Sequence, residues 1–64
     1  LDESIKYLRQ AYFLVKDPEV AAHLIEVLWA GGMRKEAAGV LENSMKEFPG
    51  DEHLEGVAER FFLK

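Results

Sequence analysis

The chain has 64 residues, of which 48 % are apolar and 31 % charged, a composition typical of one small folded domain. It contains no cysteine, which excludes disulfides and thiol chemistry. Its formal net charge of −4 argues against nucleic acid as a partner, because phosphate binding is driven by a basic surface.

The N-terminus and the lengths of the apolar runs help to predict whether the protein enters a membrane and in which compartment it lies. No apolar run approaches the ~20 residues of a membrane span, so no membrane insertion is expected. No signal peptide is visible, and the chain starts at Leu1, so we expect it to be part of a longer protein. The compartment is therefore not predicted from the N-terminus.

Residues 2–16 are predicted to form a first helix, because apolar residues recur there at helical spacing. Tyr7, Phe13 and Leu14 extend the apolar surface beyond a single stripe. Since one neighbouring helix cannot cover all of it, we expect a second neighbour, and where that neighbour is missing the surface predicts self-association through Tyr7, Leu14 and their neighbours. The predicted inner face comprises Ile5, Leu8, Ala11, Tyr12 and Val15.

Asp17-Pro18-Glu19 predicts the start of a second helix over about 18–30. Asp17 can cap the helix, Pro18 suits its first position, and Glu19 suits its first turn. The apolar residues of this segment wrap most of the way round the helix. We therefore expect it to contact neighbours on two sides.

Gly31-Gly32 predicts a tight reversal, because glycine adopts the left-handed conformation at a helix C-terminus at little steric cost. A third helix is predicted over about 34–48, with a poorly capped start and an external Glu42–Lys46 pair. Its predicted inner face comprises Ala37, Ala38, Val40, Leu41, Ser44, Met45 and Phe48.

Pro49-Gly50-Asp51-Glu52 predicts the end of the third helix and the start of a fourth, over about 51–62. No segment alternates with period two, so the predicted fold is all-α. The apolar face of the fourth helix comprises Leu54, Val57, Ala58, Phe61 and Phe62.

The two halves of the chain match each other at a shift of 33 or 34 residues. Leu8 falls on Leu41, Ala22 on Gly56, and Val27 on Phe61. Helical hairpins that repeat at such a period are typical of solenoid proteins.

The repeat resembles the tetratricopeptide repeat (TPR) family. Leu24, Ala37 and Pro49 match the family pattern outright, and Leu28 and Leu41 are apolar substitutes in two further slots. Two further positions depart from the pattern, Ala21 being too small and Ile25 too large for its slot.

The resemblance implies antiparallel helical hairpins stacked as a short right-handed solenoid of four helices. Residues 1–16 would be the second helix of a partial repeat, 18–51 a complete repeat, and 51–64 a terminal or capping helix. The chain is similar to the C-terminal repeats of bacterial TPR proteins, some associated with the envelope. That similarity leaves bacterial cytoplasm and periplasm equally open.

The resemblance also implies a function, the binding of a peptide or partner protein in a concave groove lined by the first helix of each repeat. The acidic character of the second helix favours basic or mixed apolar–basic partners and argues against the carboxylate clamp known in the family. Trp29 has two interpretations: an anchor for the partner, or packing between helices. The residues expected to face the groove are Glu19, Ala22, His23, Glu26 and Trp29, with His53, Gly56 and Arg60.

Neither a reaction nor a cofactor is predicted. Glu19, His23 and Glu26 share one helix face, but one nitrogen and two flexible carboxylates make a poor metal site. No nucleophile has a base nearby in the pattern, so we expect no enzyme. Two alternatives to the groove remain: an oligomerisation module using apolar flanks of the first and fourth helices, and a regulatory appendage of an enzyme.

Overall fold

Four helices joined by short turns make up the described chain. The computed structural model describes residues 2–62, with the side chains of all of them except Asp2 and Ser4. No strand occurs among these residues, so the all-α prediction is confirmed. Leu1, Leu63 and Lys64, which belong to the predicted outer segments, lie outside the described residues. The helices are α1 (Asp2–Leu14), α2 (Pro18–Ala30), α3 (Arg34–Glu47) and α4 (Glu52–Phe61).

Aspartate side chains cap two of the helices. The Asp17 carboxylate accepts a hydrogen bond of 2.8 Å from the amide of Glu19, and Pro18 occupies the first turn of α2, as predicted. Asp51 accepts hydrogen bonds from the amides of His53 (2.9 Å) and Leu54 (3.2 Å) at the start of α4. These carboxylates satisfy amides that have no partner inside their helices.

The turn between α2 and α3 depends on its second glycine. Gly32 is left-handed, with φ +83°, whereas Gly31 has φ −83°. The Met33 amide donates back to the Leu28 carbonyl at 2.9 Å and closes the turn. Met33 makes no side-chain cap for α3, as the sequence predicts.

Helix α2 is the centre of the fold, because it packs against α1, α3 and α4. This confirms the expectation of neighbours on more than one side. Helices α3 and α4 also pack together, whereas no Cα atom of α1 comes within 8 Å of α3 in the described chain. The residues that α2 buries are Ala21, Ala22, Leu24, Ile25 and Leu28.

Three residues assigned to inner faces, Ala11, Val15 and Ala38, lie outside the core. Ala38 is exposed although its neighbour Ala37 is fully buried, since one residue turns a helix by about 100°. Val15 is 60 % exposed and follows the end of α1. The helix ends early because Asp17 precedes a proline and is held extended, at φ −121° and ψ 130°.

Candidate functional site

The predicted groove residues of α2 do not all reach the surface. Glu19 and His23 are exposed, and Glu26 is half-buried. Ala22 is only 6 % exposed and belongs to the core cluster, so it offers a partner almost no surface. Helix α2 packs against α1, α3 and α4, so little of its surface is left open.

The predicted residues of α4 lie beside this row. The Arg60 guanidinium bonds the Glu26 carboxylate at 2.7 Å, joining the two helices. The His53 side chain is 55 % exposed, and its Nδ1 lies 3.5 Å from the Asp51 carboxylate. A Cβ built on Gly56 meets nothing within 4 Å, so the surface is open at that point. We call this surface, comprising Glu19, His23, Glu26, His53, Gly56 and Arg60, the α2–α4 face.

Trp29 lies at one end of the α2–α4 face, where it packs against neighbouring aromatic rings. The ring stacks on Phe61 with centroids 5.2 Å apart and meets Phe62 edge-on at 4.8 Å. The Arg34 guanidinium lies 4.7 Å from its centroid, close enough for a cation–π contact. Trp29 is therefore half-buried between three helices, the geometry expected of a packing residue.

Charge is unevenly distributed between the helices. α1 and α3 together carry five acidic and five basic residues, whereas α2 and α4 carry five glutamates and one arginine. The basic residue is Arg60, which is already paired with Glu26. The negative potential is thus concentrated along α2 and α4. The glutamates concerned are Glu19, Glu26, Glu52, Glu55 and Glu59.

A groove of about 550 Å³ lies between α1 and α3. Tyr12, Leu24 and Val40 line it, and two ion pairs between the helices also contribute to its lining. Arg9 and Glu36 form one of them, with two hydrogen bonds of 2.7 and 2.5 Å, and Lys16–Glu47 at 3.4 Å forms the other. Hydrogen bonding to Glu36 raises the pKa of the Arg9 guanidinium.

Sequence analysis did not predict this groove. It arises because α1 and α3 lie side by side and are joined by side chains alone, an arrangement that periodicity along either helix does not predict. The signal that was available is the pair of opposite charges at each end, Arg9 with Glu36 and Lys16 with Glu47. Many other pairings of the charged residues were equally compatible with the sequence.

The outward side of α1 is apolar and open to solvent, as the sequence predicts. Tyr7 is 71 % exposed and Leu14 is 78 % exposed. Phe13, at 76 %, lies at the rim of the groove towards α3 rather than beside Tyr7. The apolar face of α4, by contrast, is packed inside, with Leu54, Val57 and Ala58 buried. An oligomer that used the apolar flank of α4 would have to unpack the core.

Two further findings concern the described residues 2–62. Within that range, no group of three or more histidine, cysteine or acidic side chains is placed to hold a metal ion. No helix there has the length and apolar character needed to cross a membrane. Comparison of the chain with protein-family models, with curated proteins and with solved structures gave no match.

Proposed function

We propose that the chain is a tetratricopeptide-like protein-interaction module whose α2–α4 face binds a basic or mixed apolar–basic segment of a partner protein. In this arrangement residues 18–51 are a complete repeat, 1–16 the second helix of a partial repeat, and 51–64 a terminal or capping helix. Its role is binding, without catalysis and without a cofactor.

The packing of the hairpin supports this arrangement. Ala37, a match to the family pattern, has no exposed surface where α3 packs against α2. Glu26 and Arg60, which are 34 residues apart, meet side by side on α2 and α4. A separation of one repeat length is what stacked first helices require.

The concentration of negative charge on α2 and α4 is the observation that carries the proposed partner chemistry. Glu19 and His23 are exposed on the α2–α4 face, and Glu52, Glu55 and Glu59 are exposed elsewhere on α4. A cationic segment lying along the α2–α4 face gains from the negative charge of both helices and is steered towards it. Trp29, held by Phe61 and Phe62, supplies a half-buried aromatic surface for an apolar residue of that segment.

The binding experiment compares two short peptides, one containing lysine and leucine and one with glutamate in place of each lysine. Titration into the isotopically labelled chain, followed by amide chemical shifts, gives both the affinity and the surface used. We expect the basic peptide to shift amides of α2 and α4. Its affinity should fall as salt is added, because exposed charges are screened.

A matched pair of variants separates the α2–α4 face from general electrostatics. Glu19→Lys on α2 and Glu42→Lys on α3 both change an exposed residue and alter the net charge equally. Glu19→Lys should weaken the basic peptide several-fold, while Glu42→Lys leaves it nearly unchanged. Equal weakening by the two variants, or equal binding of the acidic peptide, would disprove the proposal.

A further inference from the structure

The groove between α1 and α3 has the size of a small-molecule site. Its volume of about 550 Å³ lies within the range of about 300–1,000 Å³ that is typical of such sites. Leu24 of α2, which is 1 % exposed, lies at its base, and the half-buried Tyr12 and Val40 belong to its walls. None of the residues that line it belongs to the α2–α4 face, so the groove can bind a ligand whether or not that face binds a partner.

Two ion pairs join α1 to α3 across the groove and limit what can enter it. Arg9 and Glu36 form one through two hydrogen bonds, and Lys16 and Glu47 form the other at 3.4 Å. The pairs are seven residues apart on the α1 side and eleven on the α3 side, or roughly 10 and 16 Å at the rise of a helix. A helix or an extended segment lying along the groove would have to break both pairs, whereas a compact molecule between them would break neither.

The walls of the groove favour a ligand with a flat, apolar ring. The rings of Tyr12 and Phe13 lie with their centroids 6.2 Å apart, and both residues line the groove on the α1 side. Phe13 is 76 % exposed, so a ligand ring packed against it would bury apolar surface that is open to water in the free chain. Val40 supplies aliphatic surface from α3.

The polar groups of the groove favour a hydrogen-bond acceptor on the ligand. The Tyr12 hydroxyl accepts from the Ser44 hydroxyl at 3.4 Å, which leaves its own proton without an acceptor among the described residues. The exposed Asn43 side chain contributes an NH₂ group, and Lys16 and Lys46 contribute ammonium groups. A carboxylate is the acceptor to which these donors bind most strongly.

The charges that line the groove also favour an anion. Three basic and two acidic side chains line it, although the whole chain has a net charge of −4. Arg9 and Glu36 neutralise each other through their two hydrogen bonds. The balance is therefore set by Lys16 and Lys46 against Glu47.

The remaining charges near these lysines reduce the preference for an anion without reversing it. Glu42 lies 3.7 Å from Lys46, but the two side chains are 73 % and 74 % exposed, so their attraction is screened by water. The Asp17 carboxylate, next to Lys16 in the chain, is bonded to the Glu19 amide at 2.8 Å. The C-terminal carbonyls of α1 and α3 add partial negative charge at this end of the groove. The hydrogen-bond donors therefore contribute as much to the choice of ligand as the net charge does.

We propose that the groove between α1 and α3 binds a free aromatic monocarboxylate. Its ring lies against Tyr12 and Phe13, and its carboxylate is directed towards Asn43 and Lys46. These two residues are three apart and therefore neighbours on the surface of α3. Lys46 is the more available of the two lysines, because Lys16 is engaged with the other wall of the groove through its ion pair.

Titration of 2-naphthoate into the isotopically labelled 64-residue chain, followed by amide chemical shifts, tests the proposal. We expect saturable shifts in α1 and α3 around Tyr12, Val40 and Asn43, with a dissociation constant of about 1 mM or lower. Nuclear Overhauser contacts from the naphthalene protons to the Val40 methyl groups place the ring in the groove. The matched ligand is 2-naphthylmethylamine, which has the same rings and a positive charge and should bind about fivefold more weakly or worse.

A matched pair of lysine variants tests the position of the carboxylate. Lys46→Glu and Lys35→Glu both change an exposed residue of α3 and alter the net charge equally, but only Lys46 lines the groove. Lys46→Glu should weaken 2-naphthoate about fivefold or more, whereas Lys35→Glu should change its affinity less than about twofold. Tyr12→Phe keeps the ring, removes the hydroxyl and should weaken 2-naphthoate about threefold. Circular dichroism confirms that each variant keeps its helices.

Three results would overturn the proposal. One is the absence of saturable binding of 2-naphthoate up to about 10 mM. Another is a set of shifts that is largest around Trp29 and Phe61, which would place the ligand outside the groove. The third is equal or tighter binding of 2-naphthylmethylamine, or equal effects of Lys46→Glu and Lys35→Glu, either of which would exclude recognition of the carboxylate in the groove.

Discussion

Arg60 and Glu26 lie 34 residues apart in the chain, and their side chains meet at 2.7 Å. The contact joins α4 to α2 across the interface where these two helices pack together. It therefore marks the register at which α4 lies along α2.

A double-mutant cycle measures this pair. Glu26→Gln and Arg60→Gln should each destabilise the chain slightly, and the coupling between them should be about 0.2–1 kcal/mol. The value is modest because the side chains are 35 % and 58 % exposed, so water and salt screen them. Urea unfolding of the wild type, both single variants and the double variant gives the coupling. Strictly additive effects would mean that the pair does not hold the two helices in register.

Ala37 and Ala38 make a matched pair for testing the core. Ala37→Leu should destabilise the chain by roughly 1–3 kcal/mol, because Ala37 has no exposed surface and a larger side chain overpacks the site. Ala38→Leu adds the same atoms to an exposed position and should change stability by less than about 0.5 kcal/mol. Thermal melts followed by circular dichroism compare them. Similar midpoints for both variants would contradict the observed register of α3.

Two glycine substitutions should shift stability in opposite directions. Gly32→Ala should cost about 1–2 kcal/mol, because φ is +83° there and nothing lies within 4 Å of the new Cβ, so the strain is in the backbone alone. Gly39 lies in α3, where an added Cβ also has no atom within 4 Å. Gly39→Ala should therefore stabilise the chain by about 0.5–1 kcal/mol. The melting midpoints of the two variants should lie on opposite sides of the wild type. A Gly32→Ala variant as stable as Gly39→Ala would contradict the left-handed turn.

The cap of α4 is tested at Asp51. Asp51→Ala removes the acceptor for the His53 and Leu54 amides and should cost about 1 kcal/mol. Asp51→Asn keeps an acceptor oxygen and should lose only a fraction of that. Chemical denaturation of both variants makes the comparison. If the two substitutions are equally costly, the charge of Asp51, rather than its hydrogen bonds, stabilises the helix.

The helices were predictable because their signals are local. Asp17-Pro18 and Pro49-Gly50-Asp51 each combine a helix stop or start with a capping carboxylate, and both caps form. The exposed Glu42–Lys46 pair, at 3.7 Å, also follows from spacing along one helix. Such features depend on residues within one or two turns of each other, so the local sequence is enough to predict them.

Relations between non-consecutive helices were less predictable. The burial of Ala22 depends on how closely the neighbouring helices approach α2, and the groove at Tyr12 depends on the gap between α1 and α3. The position of Trp29 depends on where Phe61 and Phe62 lie relative to it. Sequence patterns identified these residues as apolar or small, but the distances between helices decide which of them reach solvent.

Helix α1 is held less firmly than the other helices. It packs against α2 and is tied to α3 by side chains alone, and among its described side chains only Ile5 is buried. The amides of α1 should therefore exchange with solvent after a smaller local opening than the amides of α2, whose exchange requires unfolding of the whole domain. The first part of the chain to open should therefore be α1, while the core around α2 stays folded.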